Sequence, residues 1–251
     1  MKPISLQLYT VRELCAQDFA GTVKRVADIG YKGVEFAGFY NTPPAEVKKM
    51  VDNLGLQVSS AHLPMPTKEN VAELLDTCRT IGIPRIVSGF GPDQVKTLEG
   101  CNEAAAKLKS AVEALEGSGI GIAIHNHWWE FTKLPDGQLP EDILLNGAPG
   151  AGAQLDVYWV AVGGEDPTAT VARLGRRAPL LHIKDGPMDP PQPMTAVGDG
   201  KLDMPSIIKA ADPNVLEWLI VELDSCATGM MEAAEKSYQY LTENGLAAGN
   251  K

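Results

Sequence analysis

A single-domain (β/α)8 barrel is the fold this 251-residue sequence predicts, and three observations predict it. Eight short apolar runs of strand character alternate with stretches whose apolar residues recur at three- and four-residue spacing. Several of the helix-like stretches close on a glycine, namely Gly30, Gly55, Gly82 and Gly119, as a helix C-cap should. All four histidines, His62, His125, His127 and His182, stand at or just past the end of a strand-like run. The strands of one parallel barrel would gather them into one mouth.

In chain order the strands are expected at residues 4–9, 33–37, 57–61, 85–89, 121–125, 152–156, 179–183 and 218–223. Between them lie amphipathic helical patterns such as FAGTVKRVADIG, PPAEVKKMVDNLG, NVAELLDTCRTIG and EAAAKLKSAVEALEGSG. Helix starts are marked by Thr42 before Pro43 and by Asp203 ahead of MPSIIKAA. A doubly wound open sheet would usually carry a Gly-rich phosphate turn after an early strand, and none is present. Two segments break the spacing. WWEFTKLPDGQLPED reads as a hairpin inserted before a short fifth helix, and GPMDPPQPMTAVGDGKLD is too rich in proline for either regular element and reads as a long loop. Both follow the carboxyl ends of strands, the side on which barrel enzymes build their sites.

The composition narrows the function. A formal net charge of -10 with no basic run disfavours nucleic acid and anionic membranes, which are gripped through clustered Lys and Arg. Cys15, Cys78, Cys101 and Cys226 are far apart and lack CxxC spacing, so buried reduced thiols are expected. The chain enters a strand-like run within a few residues, without a charged leader or cleavage site, and no apolar stretch approaches a membrane span. The cytoplasm is the expected location. The partner expected is a small molecule, and a homo-oligomer is allowed.

Two further strand-like runs end in acid, QLDVYW with Asp156 and WLIVELDS with Glu222 and Asp224. Imidazoles and carboxylates converging on one mouth suggest a divalent metal site. The opening LQLYTVRE, Glu35 in GVEFAGFY, HNHWWEF, LDVYW, HIKDG, VGDGKLDMPSII and VELD together resemble the xylose-isomerase-like TIM barrel superfamily, over nearly the whole chain. That group contains sugar isomerases, ketose epimerases and dehydratases such as inosose dehydratase, and also endonuclease IV. The resemblance implies one divalent ion, Mn²⁺, Co²⁺, Zn²⁺ or Mg²⁺, held by a Glu after strand five, an Asp after strand six, a His after strand seven and a Glu after strand eight. Asp156, His182 and Glu222 match the last three.

Strand five departs from that pattern, ending in His125, Asn126 and His127, with Glu130 three residues on. Either His125 coordinates directly, or Glu130 folds back as the ligand while His125 and His127 face the substrate. The working expectation is Glu130, because three carboxylates and one imidazole suit a hard ion such as Mn²⁺ or Mg²⁺, whereas added imidazole favours Zn²⁺ or Co²⁺. A single buried histidine is more often bonded to a carbonyl than to a metal, but His125 and His127, two apart, would face the same side of a strand. Trp128, Trp129 and Trp159 are either core aromatics or platforms for a sugar ring. Lys184 and Asp185 could be a surface ion pair, although Lys184 would point the same way as His182.

The implied chemistry is sugar isomerisation, epimerisation or dehydration. An ion chelated by a carbonyl and its neighbouring hydroxyl stabilises the enediolate formed when the C–H between them loses its proton. Glu130, Glu222, His125, His127 and Lys184 are the candidate groups for proton transfer. Tyr9, Glu35, His62, Trp128, Trp159 and Asp224 are the candidate substrate contacts. Two other readings compete: a noncatalytic sugar-binding barrel, and an endonuclease IV-like nuclease, disfavoured by the acidic charge and by only four histidines.

Overall fold

A computed structural model describes residues 1–189 and 192–251. Eight parallel strands close into a barrel: β1 (Lys2–Gln7), β2 (Gly33–Phe36), β3 (Gln57–His62), β4 (Arg85–Ser88), β5 (Gly121–His125), β6 (Gly152–Asp156), β7 (Leu180–Ile183) and β8 (Trp218–Val221). Each pairs with its neighbour in sequence, and β1 pairs with both β2 and β8, so the circuit has no free edge. This is the (β/α)8 barrel the alternating pattern predicts. A two-residue strand, β9 (Ala247–Ala248), adds to Lys2 and Pro3 of β1. Its length is too short to show alternation in sequence.

The outer layer comprises α1 (Arg12–Gln17), α2 (Phe19–Ile29), α3 (Pro44–Asn53), α4 (Val71–Ile81), α5 (Pro92–Val95), α6 (Leu98–Ala114), α7 (Pro140–Gly147), α8 (Val157–Val162), α9 (Pro167–Leu174), α10 (Met204–Ala210) and α11 (Met230–Glu243). Each longer helix buries one stripe. In α2 the stripe is Phe19, Thr22, Val23 and Val26, and in α4 it is Leu74, Cys78 and Ile81. Gly82 ends α4 in the left-handed region, φ 88°, as its C-cap role requires. Asp203 caps α10 by accepting from the Ser206 N–H, whereas α3 begins one residue later than expected, with Pro43 at the cap and Pro44 in the first turn.

Three local differences from the sequence pattern bear on the site. Strand β1 stops at Gln7 because the Gln7 side chain accepts from the Tyr9 N–H at 3.1 Å, turning Leu8–Val11 into a 3-10 helix and leaving Tyr9 at the rim. Residues 126–139 do not form the expected hairpin. They form a 3-10 turn at Trp129–Phe131 and a tight turn closed by the Leu134, Gly137 and Gln138 backbones, while the His127 N–H is taken by the Glu130 carboxylate. The loop at 186–203 is irregular as expected, with Pro190 and Pro191 outside the described residues. It winds around Asp185, which is buried rather than a surface ion-pair member and accepts N–H bonds from Gly186, Gly198, Gly200 and Leu202 at 2.9–3.2 Å. A Cβ on Gly200 would stand 1.9 Å from Asp185 Oδ1, so only glycine fits there.

Inside the barrel, Val87, Ala123, Leu180, Trp218 and Ile220 form an apolar cluster separate from the core between strands and helices. His125, His182 and Glu222 stand two residues beyond Ala123, Leu180 and Ile220, and therefore point into the same interior one layer nearer the mouth. Cys15, Cys78 and Cys101 are buried free thiols, Cys226 is half-buried, and no helix among the described residues is long and apolar enough to cross a membrane.

Glu141, in the first turn of α7, is fully buried, and neither carboxylate oxygen has a hydrogen-bond partner. Burial pushes its acid well above the usual range, with Glu130 and Asp142 adding to the effect against Arg173 and Arg177. A carboxyl raised in the folded state costs nothing below its unfolded pKa and progressively more as pH climbs above it. Glu141→Gln should therefore melt with the wild type near about pH 4 and be the more stable protein toward about pH 8, by about 1–3 kcal/mol. Thermal melts across that range check it, and parallel curves at every pH would refute it.

Candidate functional site

The polar layer at the mouth is built around His182. Its Nε2 lies 2.6 Å from Glu35 Oε2 and its Nδ1 lies 2.8 Å from Glu222 Oε2, with all three side chains buried. Burial alone would lower the imidazole's pKa, but the Glu35 and Glu222 charges outweigh it and raise the pKa to about 10. Asp156 is the direct β6 partner of His182 in the ladder, with its Oδ2 at 4.0 Å from Nδ1. The same Asp156 caps α8, Oδ1 accepting from the Tyr158 and Trp159 N–H groups at 3.1 and 3.0 Å, which turns Oδ2 inward. Asn126 holds that strand end by accepting from the Asp156 N–H at 2.8 Å.

Lys184, two residues beyond His182, is fully buried, and its Nζ lies 3.0 Å from Asp156 Oδ2, 2.8 Å from Glu222 Oε2 and 2.8 Å from Asp224 Oδ2. Burial works against its charge, yet the three carboxylates prevail and raise its pKa. Burial would raise Glu222, but Lys184 and His182 hold it well below the usual carboxylate range, whereas burial keeps Asp156 up at about 6 against the same two cations. Burial and the nearby His182 charge hold His125 neutral, far below the usual imidazole range.

Four of these groups, His125, Asp156, His182 and Glu222, offer ligand atoms all within 4.8 Å of one another. Glu130, expected at the strand-five position, is not among them. Its Oε2 accepts from the His127 N–H at 2.8 Å, its Oε1 is buried without a partner, and burial raises its acid to about 8 against the pull of that N–H. Through that bond the carboxylate supports the turn after β5. Two imidazoles and two carboxylates make a mixed set suited to borderline divalent ions, and His125 Nδ1 is buried without a hydrogen-bond partner, while Asp156 Oδ2 is met by the Lys184 ammonium alone.

The remaining expected residues divide by depth. Glu35, expected to meet substrate, is fully buried with its oxygens engaged by Gln7 Nε2 at 2.7 Å, Ser60 Oγ and Gln154 Nε2 at 2.5 Å, and His182. It orients His182 from below and is not available to a ligand. His62 is partly exposed, with Nε2 2.8 Å from Gln154 Oε1. His127 stacks on Trp129 at 4.2 Å, and burial, then the Lys184 charge, lowers its pKa to about 4. Trp128 is 41% exposed and packs on Trp159 at 5.0 Å, while Tyr9 is 42% exposed with Arg12 over its ring and Arg12 bonded to the Asp224 carbonyl. Sequence reasoning missed Gln7, Ser60, Gln154 and Asn126. The signal was present for Gln7 and Gln154, which are polar residues on the inward parity of apolar strands.

A closed parallel barrel carrying an acid and imidazole cage at its carboxyl end is an enzyme-type site. Residues 23–243 match the family model described as xylose isomerase-like TIM barrel, and the chain belongs to that family. It is similar to the rhizopine catabolism protein MocC of Rhizobium meliloti, 23% identical over 88% of this chain and 79% of that protein. It is also similar to inosose dehydratase of Clostridium beijerinckii, 24% identical over 90% of this chain and 89% of that protein. Among solved structures, a sugar phosphate isomerase/epimerase from Parabacteroides distasonis superposes with a TM-score of 0.81 at 28% identity, covering 98% of this chain and 96% of that one.

Glu35→Gln should lower the stability of the metal-free protein by about 3–5 kcal/mol, because it strips one counter-charge from a buried imidazole. Chemical denaturation measures the loss. A variant as stable as the wild type would mean that Glu35 does not hold His182.

Proposed function

We propose that the chain is a divalent-metal-dependent isomerase, epimerase or dehydratase of a keto-sugar or related polyol, working through an enediolate. The observation that carries this reading is the convergence of His125, Asp156, His182 and Glu222 to within 4.8 Å at the ends of four successive strands. The His125 Nδ1, buried without a hydrogen-bond partner, supports a cation there, and the mixed donor set favours Zn²⁺, Co²⁺ or Mn²⁺ over Mg²⁺. Family membership and the likeness to an inosose dehydratase support a sugar or polyol as substrate. On this reading the strand-five ligand is His125, and Glu130 supports the turn behind it.

Bound in that cage, the ion would supply Lewis acidity toward a carbonyl and its neighbouring hydroxyl. The chain's own groups do the remaining work. Lys184 keeps a fixed ammonium beside Asp156 and Glu222, where it can meet an oxygen on which negative charge develops. His127 presents an Nδ1 without a hydrogen-bond partner and is the proton acceptor of this reading. Glu130 fixes the turn that carries it, through the His127 N–H. Trp128, Trp129 and Trp159 pack together as an apolar wall that excludes water and suits the C–H face of a ring.

Metal titration of chelator-stripped protein tests the cage. Asp156→Ala and His182→Ala should lose most binding, and His125→Asn should weaken it about tenfold or more, while Glu130→Gln should bind as the wild type does. Full occupancy in the first two variants would remove the site. Exchange of substrate α-hydrogen with deuterated water, followed over ketoses, keto-glycosides and inososes, tests the chemistry. Metal-dependent exchange or loss of water is expected from at least one member, and a silent panel would overturn the enediolate mechanism even with the metal bound.

A further inference from the structure

We infer that Asp185 is a positioning residue of the site, which gathers residues 194–202 into a wedge between the ends of β7 and β8 and so sets the Asp224 carboxylate against Lys184. The inference rests on the reading above for the role of Lys184 beside substrate, and it adds a residue which that reading does not use.

Asp185 is fully buried, and its chain neighbour Lys184 turns away from it to Asp156, Glu222 and Asp224. The Asp185 carboxylate is held by backbone donors instead. Its Oδ1 accepts from the Gly186 N–H at 2.9 Å and the Leu202 N–H at 3.2 Å, and its Oδ2 from the Gly198 N–H at 3.0 Å and the Gly200 N–H at 3.2 Å. Its carbonyl takes a fifth bond, from the Thr195 N–H at 3.1 Å. A buried carboxylate satisfied by N–H groups alone fixes the backbone that carries them, because those donors have no other acceptor of equal strength. Gly198 stands at φ 96°, the left-handed region that favours glycine, so the turn is shaped to deliver its N–H.

The other side of the same segment meets the end of β8. Met194 is buried and paired in parallel with Cys226, and its Sδ accepts from the Asp224 N–H at 3.4 Å. Ser237 of α11 backs the segment by accepting from the Val197 N–H at 2.9 Å. Asp224 is thereby held at three points: its N–H by Met194, its carbonyl by Arg12 Nη2 at 3.0 Å and its Oδ2 by Lys184 Nζ at 2.8 Å. Of the three carboxylates on Lys184, Asp224 alone lies outside the cage of four. Asp156 and Glu222 are committed to that cage, which leaves Asp224 to aim the ammonium. Asparagine at position 185 keeps the side chain's shape but turns an NH2 toward N–H donors, so the wedge loses its anchor on one side.

Amide hydrogen exchange of the full-length protein, resolved by residue with NMR, tests the wedge without any ligand. Asp185→Asn should speed exchange at residues 194–202 and at Asp224 about tenfold or more, and leave β3 to β6 within a factor of about two. Met194→Leu, of similar volume, removes only the sulfur acceptor and should speed Asp224; it decides the matter should Asp185→Asn fail to fold. Asp199→Asn, an exposed neighbour outside the clasp, should change neither segment. Turnover reads the consequence through exchange of substrate α-hydrogen. Asp185→Asn should lower kcat about tenfold with KM within a factor of about two, and should add little to Asp224→Asn in the double variant, because the first residue acts through the second. Unchanged exchange at Asp224 in both Asp185→Asn and Met194→Leu would overturn the inference, as would acceleration spread evenly over the barrel or full additivity in the double variant. A silent substrate panel with acceleration confined to the two segments would instead remove the enediolate reading and keep the wedge.

Discussion

The imidazole of His182, fixed between Glu35 and Glu222, is the constraint on which the mouth of this barrel depends. One ring nitrogen faces down to the Glu35 network and the other faces the Glu222 oxygen that also meets Lys184. Neither carboxylate could remain ionised at such depth alone, since the desolvation of an unpaired buried charge costs several kcal/mol. Each charge is tolerated because the next one is present. Glu35, His182, Glu222, Lys184, Asp156 and Asp224 therefore behave as one unit, in which removing a member strands its neighbours. Apolar residues would fill the same volume at less electrostatic cost. The barrel keeps charges there because the layer has a use other than stability.

The rest of the fold supplies rigidity to that unit. Asp156 and His182 are ladder partners on adjacent strands, so their spacing is fixed by backbone hydrogen bonds and not by side-chain freedom. Gln7 is the partner of Glu35, and Glu35 of Ser60, which brings the donors of the floor alongside their acceptor. Beneath them the apolar cluster of Val87, Ala123, Leu180, Trp218 and Ile220 fills the barrel and shuts out water from below. The four cage groups stand at strand ends of a closed sheet, and the turn that carries His127 is tied down by the Glu130 carboxylate.

The barrel was legible in the sequence because alternation, glycine caps and strand-end histidines all agreed. The cage was legible for Asp156, His182 and Glu222, each ending an apolar run. Two features were not. Glu130 lies three residues past a histidine pair, and whether such a carboxylate returns to the axis depends on the backbone path of the turn. Here the His127 N–H captures it locally, a short-range bond that competes with any distant role. Glu35 invited a ligand-contacting role because an acid in a strand is rarely left inside. Only three-dimensional pairing reveals that Gln7, Ser60, Gln154 and His182 together use its oxygens.

Charge gives a reason for an imidazole, and not a carboxylate, at the end of β5. The buried carboxylates Glu35, Asp156 and Glu222, with half-buried Asp224 beside them, already outnumber the cations His182 and Lys184. A fifth carboxylate at position 125 would add like-charge repulsion within a few ångströms of Asp156 and Glu222. His125 contributes a ligand atom without contributing charge, and burial keeps it neutral. A neutral imidazole at the end of β5 and a buried lysine just past β7 are therefore two halves of one electrostatic arrangement, the first adding no charge and the second offsetting the carboxylates beside it.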